Sequence, residues 1–320
     1  MNSVNVAAVP GATHQKSFWV RLKQDLSRNK LIYLLALPAI IYYIIYHYWP
    51  MYGAIIAFKD FSPTLGTFGS PWAGFKYFEQ FFSSYYFVRI LRNTLLISIY
   101  SILWSFPAPI LLALLMNEIQ HNGFKRTVQT VTYLPHFIST VVICGMLIDF
   151  CNTRGLFNYF VELLGGTPFN FLMETSLFRT IYIGSGIWQE VGWGSIIYLA
   201  ALTSIDASLY EAARIDGAGR FKQMLYITLP GIMPTIVIML ILRMGSIMNV
   251  GFEKVMLLYN PTTYEVADVI STFVYRKGIV EANYSYSAAV GLFNSVINFM
   301  MIIVANWVSR KLTDGESSLW

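Results

Sequence analysis

Six apolar runs leave this chain few ways to fold. A helix needs about 20 mostly apolar residues to cross a bilayer. The runs Leu31 to Ala57, Thr94 to Met116, Val128 to Phe150, Leu177 to Leu202, Leu229 to Val250 and Ala288 to Val308 each meet that length. The reading is an all-α polytopic membrane protein with six transmembrane helices. Pro38 and Pro50 lie inside or near the end of the first run. They are tolerable there because neighbouring helices can satisfy the carbonyls that proline frees. Composition excludes a soluble globule: 56% of residues are hydrophobic and 12% charged, against about 25% charged in soluble domains. Mean hydropathy is +0.53. Aromatics reach 16%, as expected where Trp and Tyr crowd two membrane interfaces.

An even number of spans places both termini on one side. Lys16, Arg21, Lys23, Arg28 and Lys30 in the N-terminal tail, and Arg310-Lys311 at the other end, put that side in the cytoplasm. The tail, residues 1–30, is polar and precedes a run too long for the core of a signal peptide. A short amphipathic helix is expected near Phe18 to Leu26. Residues 31–308 then form the membrane domain and 309–320 a second cytoplasmic tail. Lys125-Arg126, and Arg214, Arg220 and Lys222, also fall inside. Against this bias, Lys59, Lys76, Arg89, Arg92, Arg154, Lys254, Arg276 and Lys277 fall outside or at the outer interface. The outer segments, Lys59 to Arg89, Cys151 to Ser176 and Gly251 to Tyr286, are long, so their charges count for less. They lack low-complexity runs and read as folded. The net charge of +5 is scattered over loop ends rather than gathered in a stripe, which excludes a nucleic-acid partner. Cys144 and Cys151 are separated by about 10 Å of rise on one helix. That is too far for a disulfide, and both read as free buried thiols.

One polar insert, residues 204–228, separates the fourth and fifth runs. Asp206 or Ser208 can cap a helix whose Leu209, Ala212 and Ala213 form a small apolar face. Gly217 and Gly219 offer a break where positive φ is available. Arg220 to Tyr226 can form a second short helix, and Pro230 suits the first turn of the next span. The insert reads Glu211-Ala212-Ala213, three residues, Gly217, nine residues, Ile227-Thr228-Leu229-Pro230. That pattern resembles the cytoplasmic coupling loop of the membrane subunits of binding-protein-dependent ABC importers, and the likeness extends over about Lys30 to Lys311. Pro50-Met51-Tyr52-Gly53 with Ala57-Phe58-Lys59-Asp60, Tyr133 to Ser139, and Asn249 to Glu253 running on to Leu258-Tyr259-Asn260-Pro261 resemble the carbohydrate-uptake subgroup that imports oligosaccharides or polysaccharide fragments such as those of alginate and pectin.

The resemblance implies a permease subunit in the bacterial plasma membrane. It implies a coupling helix carried by Glu211, Ala212, Ala213, Asp216, Gly217, Ile227, Leu229 and Pro230. It also implies a second related permease, two ABC ATPase subunits that hold ATP and Mg, and an extracytoplasmic solute-binding protein that delivers the sugar. No cofactor is expected on this chain. It has no phosphate-binding G-x-x-x-x-G-K-[ST], no H-E-x-x-H and no G-x-S-x-G, so no enzyme is expected either.

Polar groups inside a bilayer are costly and mark candidate pathway residues. Arg243 lies near the middle of the fifth run, followed by Asn249. Asn294 and Asn298, four apart, share a helix face. In the fourth run Trp188, Gln189, Glu190 and Trp193 set aromatic rings beside amides and acids, a combination suited to sugars. Each has a structural alternative: Asn bonds between helices, Trp anchors at an interface, and an ion pair from Arg243 to the partner permease. Two rival functions are an importer of another solute class and an ion-coupled secondary transporter. The latter needs acids inside the membrane, and Glu190 is the one plausible internal acid.

Overall fold

The computed structural model describes Asp25 and residues 27–312. All of the helix expected near Phe18 to Leu26 except Asp25, and the tail beyond Leu312, lie outside these residues. The chain divides into two compact units, Met1–Ile55 and Ile56–Trp320. The first holds α1 (Lys30–Tyr43), continued by a π turn at Ile44–Tyr48 and one α turn at Trp49–Met51. The second is built from helices, among them α2 (Tyr85–Tyr100), α3 (Pro107–Glu118), α4 (Asn122–Tyr133) and α5 (Thr140–Cys151). Then follow α6 (Phe178–Leu202), α7 (Ala207–Ile215), α8 (Met233–Met244), α9 (Phe252–Leu258) and α10 (Tyr284–Leu312). Among the described residues strand pairing is limited to one bridge, Lys59 to Trp72.

Four helical stretches are long and apolar enough to cross a membrane: Lys30–Phe58, Tyr85–Glu118, Thr140–Leu163 and Tyr284–Lys311. Two bent pairs raise the number to six if each is one span. They are Phe178–Leu202 with Ala207–Ile215, bent by 76°, and Arg220–Gly231 with Met233–Met244, bent by 58°.

Three of the apolar runs are divided differently from the sequence expectation. The third does not run unbroken from Val128 to Phe150. Pro135 lies in a 3-10 turn, Leu134–Phe137, and Ser139 turns extended and caps α5 through its side chain. Only the start of that run, Val128 to Tyr133, therefore belongs to α4. The second run starts at Tyr85 rather than Thr94, because Ser84 caps α2 by accepting from the Tyr86 amide. The fifth run ends its helix at Met244, not Val250, so Asn249 lies in a non-helical turn.

Three buried clusters hold the second unit together. One joins Cys144 and Cys151 of α5 to Phe178 and Ile183 of α6 and to Val255 and Leu258 of α9. Both cysteines are free and buried. Another gathers Ile90 of α2, Ile247, Met248, Ile270, Phe273 and Val290 of α10. The last packs Ile110, Ala113 and Leu114 of α3 on Tyr198 and Leu202 of α6 and on Ile232.

Glycine sets the closest of these approaches. A Cβ on Gly192 would stand 2.1 Å from the Thr132 carbonyl oxygen, so α6 touches the backbone of α4 only because that atom is absent. Gly184, one helix segment earlier, has open space around the same position. Gly192→Val must push two helices apart. It is expected to cost at least about 1–3 kcal/mol and to lower the unfolding midpoint followed by tryptophan fluorescence in detergent. Gly184→Ala is expected to hold or raise that midpoint, since Ala favours a helix by roughly 1 kcal/mol over Gly.

Candidate functional site

The turn between α6 and α8 follows local rules closely. Asp206 takes extended backbone and its carboxylate accepts from the Ser208 amide at 2.9 Å, so it is the cap and Ser208 is not. The Ser208 backbone and hydroxyl beside Asp206 hold its carboxyl below the ordinary range. At the other end Gly217 takes φ +75°. The Ala218 amide donates to the Ala213 carbonyl at 2.8 Å, and the Gly217 amide to that of Arg214 at 3.1 Å. These are the two bonds of a Schellman stop, which favours Gly at the left-handed position. Gly219 needs no such freedom. It is extended at φ −68° and precedes Arg220–Gln223. Tyr210 hydrogen-bonds to Thr228 at 3.0 Å, tying the first short helix to the second. Glu211, Ala212, Asp216, Gly217 and Pro230 are exposed, and Ala213, Ile227 and Leu229 are half-buried. Ile215, 87% exposed, stands with Phe221 and Tyr226 as uncovered apolar side chains.

Two adjoining cavities form between α2, α3, α6 and α8. The larger, of about 480 Å³, is lined in part by Ser105, Gln189, Glu190 and Lys254. The smaller, of about 260 Å³, is lined in part by Asn249 and Gly251. Ser101, Tyr182, Arg243 and Ser246 line both. Ser101 opens a π turn, Ser101–Ser105, that separates α2 from α3. Such single π turns recur at functional sites. The Arg243 guanidinium donates to the Ser101 hydroxyl at 2.6 Å.

The sequence candidates separate into distinct groups here. Arg243, Asn249, Gln189 and Glu190 line the cavities. Gln189 also donates to the Ile138 carbonyl at 3.4 Å, next to the break between α4 and α5. Asn294 and Asn298 both donate to the Asn249 side-chain oxygen, at 3.0 and 3.2 Å. Asn298 in turn accepts from the Met248 amide at 2.9 Å. The pair thus fastens the turn after α8 to α10. Trp188 faces elsewhere, into an apolar pocket with Ile143, Met146 and Phe157. Trp193 stacks on His136, ring centroids 4.4 Å apart and 3° from parallel, and His136 pairs with Glu190 at 2.9 Å.

Two residues with large electrostatic roles were not singled out in the sequence. Lys254 reaches the larger cavity from α9 and is 8% exposed. Asp268 is 0% exposed and accepts from Arg276 at 2.6 and 3.3 Å, Arg89 at 3.5 Å and Thr272 at 2.8 Å. Asn93 donates to the carbonyls of Glu265 and Asp268 at 2.8 and 3.0 Å. This knot ties the segment before α10 to the start of α2. A spacing rule could not have found it, because 179 residues separate Arg89 from Asp268.

Residues 105–314 match the sequence profile of the family described as binding-protein-dependent transport system inner membrane component. The chain is 47% identical over 287 residues to Protein LplB of Bacillus subtilis (strain 168), covering 89% of this chain and 90% of that protein. It is 42% identical over 314 residues to the polygalacturonan/rhamnogalacturonan transport system permease protein YteP of the same strain, covering 98% and 97%. A solved chain of a bacterial alginate ABC transporter, in complex with an alginate pentasaccharide-bound periplasmic protein, superposes with a TM-score of 0.86. It is 43% identical, over 93% of this chain and 100% of that one.

The buried knot generates a sharp expectation. Asp268→Asn strands two guanidinium groups beside a neutral amide. Breaking a buried pair from one side costs about 3–5 kcal/mol. Limited proteolysis should then cut the segment between α9 and α10 faster, and the unfolding midpoint should fall. The exposed Lys76–Asp60 pair is the control, and Lys76→Gln should leave both readouts unchanged.

Proposed function

The chain belongs to the family of binding-protein-dependent transport system inner membrane components, and from that membership we infer that it is the permease subunit of an ATP-driven importer of oligosaccharides or polysaccharide fragments. ATP is hydrolysed on separate subunits. A binding protein outside the membrane delivers the sugar, a second related permease completes the path, and both termini of this chain are cytoplasmic.

The observation that carries the mechanical part of this reading is α7. It is a nine-residue helix, capped at both ends, bent by 76° from α6 and uncovered on its small-residue side. A lever of this kind passes force because its ends are fixed. Asp206 and Gly217 set its direction, and Tyr210 joins it to the helix that leads into α8. An ATPase surface pushing on Glu211, Ala212 and Ile215 moves α6 and α8 together. Those two helices carry Glu190, Gln189 and Arg243, so motion of the turn reaches the cavity walls through the bend before α7 and the bend before α8.

The sugar path runs through the two cavities. Ser101, Gln189 and Asn249 supply hydroxyl and amide partners for sugar hydroxyls, and Arg243 supplies a fork that can bond a carboxylate twice. The polygalacturonan relative and the alginate transporter support cargo of that acidic kind. Orientation follows the basic ends and the basic insert between α6 and α8, because the outer segments that carry the opposing basic residues are long and count for less.

The four-subunit complex in proteoliposomes tests this reading. ATP hydrolysis should rise when the loaded binding protein is added, with accompanying uptake of sugar. Gly217→Val places a Cβ in the left-handed region at roughly 1–2 kcal/mol and turns the lever. The variant should insert normally, lose at least about tenfold of uptake, and no longer respond to the binding protein. Wild-type uptake without ATP would contradict the importer. Full uptake by the Gly217 variant would contradict the lever.

A further inference from the structure

Lys254 is a charge in the cavity lining that makes neither a side-chain hydrogen bond nor an ion pair among the described residues. Its side chain leaves α9, is more than nine-tenths buried and enters the larger cavity. The ammonium lies 5.3 Å from the centroid of the Tyr182 ring. Gly186 lies beside it, and a Cβ there would be in ordinary contact, 3.5 Å from the Lys254 nitrogen. Among the described residues no carboxylate lies within ion-pair distance of Lys254 or of Arg243. Glu190, the acid on the same wall, is engaged by His136. Arg243 uses one of its donors on Ser101, and a guanidinium has five.

An ammonium drawn into the protein against a ring face has lost part of its hydration, and the ring returns less than the desolvation of an ion costs. Sugar hydroxyls and amides could bind a neutral guest without any such expense. A full charge held in this position is recovered best by an anion that comes and goes. We propose that Lys254, with Arg243 across the cavity, is the carboxylate-binding site of the translocation path and makes the permease selective for uronate-bearing sugars. The proposal rests on the cavity being that path, and it adds which residue reads the charge of the cargo. Arg243 is already hydrogen-bonded to Ser101 and serves as the second donor. Lys254 has no such bond and is the selective one.

The test uses the assembled importer in nanodiscs without the binding protein, so that discrimination by the binding protein plays no part. Binding of trigalacturonate and of its carboxyl-reduced, neutral counterpart is measured by calorimetry for wild type, Lys254→Met and Lys254→Arg. Loss of a charge-assisted bond should weaken trigalacturonate binding about 10- to 100-fold in Lys254→Met. Lys254→Arg should recover most of it. The neutral trisaccharide should bind wild type and Lys254→Met equally, whether weakly or not at all. Equal weakening for both sugars, no weakening for either, or no binding of trigalacturonate to wild type would overturn the proposal. Failure of the Lys254→Met complex to assemble would also overturn it, by making Lys254 the partner of a carboxylate on the second permease. ATP-driven uptake by wild type is scored separately. It can stand when the binding result fails, and its absence would instead remove the importer reading.

Discussion

Inside hydrocarbon an unsatisfied backbone amide or carbonyl costs several kcal/mol, so a chain can leave helix only where something else satisfies it. The rest of this molecule is arranged around one such departure, from Gly245 to Gly251. Asn298 accepts from the Met248 amide. The Tyr182 hydroxyl accepts from the Gly251 amide at 3.1 Å. Ser98 donates to the Ile247 carbonyl. Asn249 is held by Asn294 and Asn298. Residues from α2, α6 and α10 thus converge on one irregular turn, and the cavities lie against it. Helix α8 ends there, and α9, which carries Lys254, begins there. An irregular backbone at membrane depth is tolerated where it lines a cavity, and this turn does both jobs.

Helix interruptions gather in this region, and two of the three line the cavities. A π turn at Ser101–Ser105 divides α2 from α3. Pro135 and Ser139 divide α4 from α5. The Gly245 turn ends α8. Each break offers polar groups, and each is stabilised by a side chain from another helix: Arg243 on Ser101, Gln189 on Ile138, and the asparagines on Asn249. The pathway candidates are therefore also fastenings. A residue such as Asn298, buried and bonded to a backbone amide, is fixed by the fold, whereas Arg243 and Lys254 keep donors to spare.

The local structure of the turn between α6 and α8 was largely legible in the sequence because its logic is local. A capping Asp206, a small-residue face and a left-handed Gly217 are read within about a dozen residues. The apolar runs gave the helices, but not their breaks. Pro135 was absorbed into a hydrophobic stretch, and Asn249 was counted as part of a span. Lys254 was assigned outside or at the outer interface because it follows the fifth apolar run, and α9 carries it into the cavity lining. Asp268 was missed because its near partners, Thr272 and Arg276, form no motif and its third, Arg89, lies 179 residues away. Trp188 and Trp193 looked like one sugar-binding group. Five residues on a helix of 3.6 per turn separate them by more than a quarter turn, and they serve an apolar pocket and a histidine stack instead.

The proposed lever would open the cavities to one face of the membrane at a time, and Ser246 reports on this because it lines both cavities. The measurement is labelling of Ser246→Cys by a membrane-impermeant thiol reagent, in a background with Cys144→Ala and Cys151→Ala. The four-subunit complex is reconstituted so that either face can be exposed to reagent. Without nucleotide the cysteine should react from the cytoplasmic side alone. With ATP trapped by vanadate and the binding protein present, it should react from the outer side alone. Reaction from the same side in both states, or from both sides at once, would contradict a gated path through these cavities.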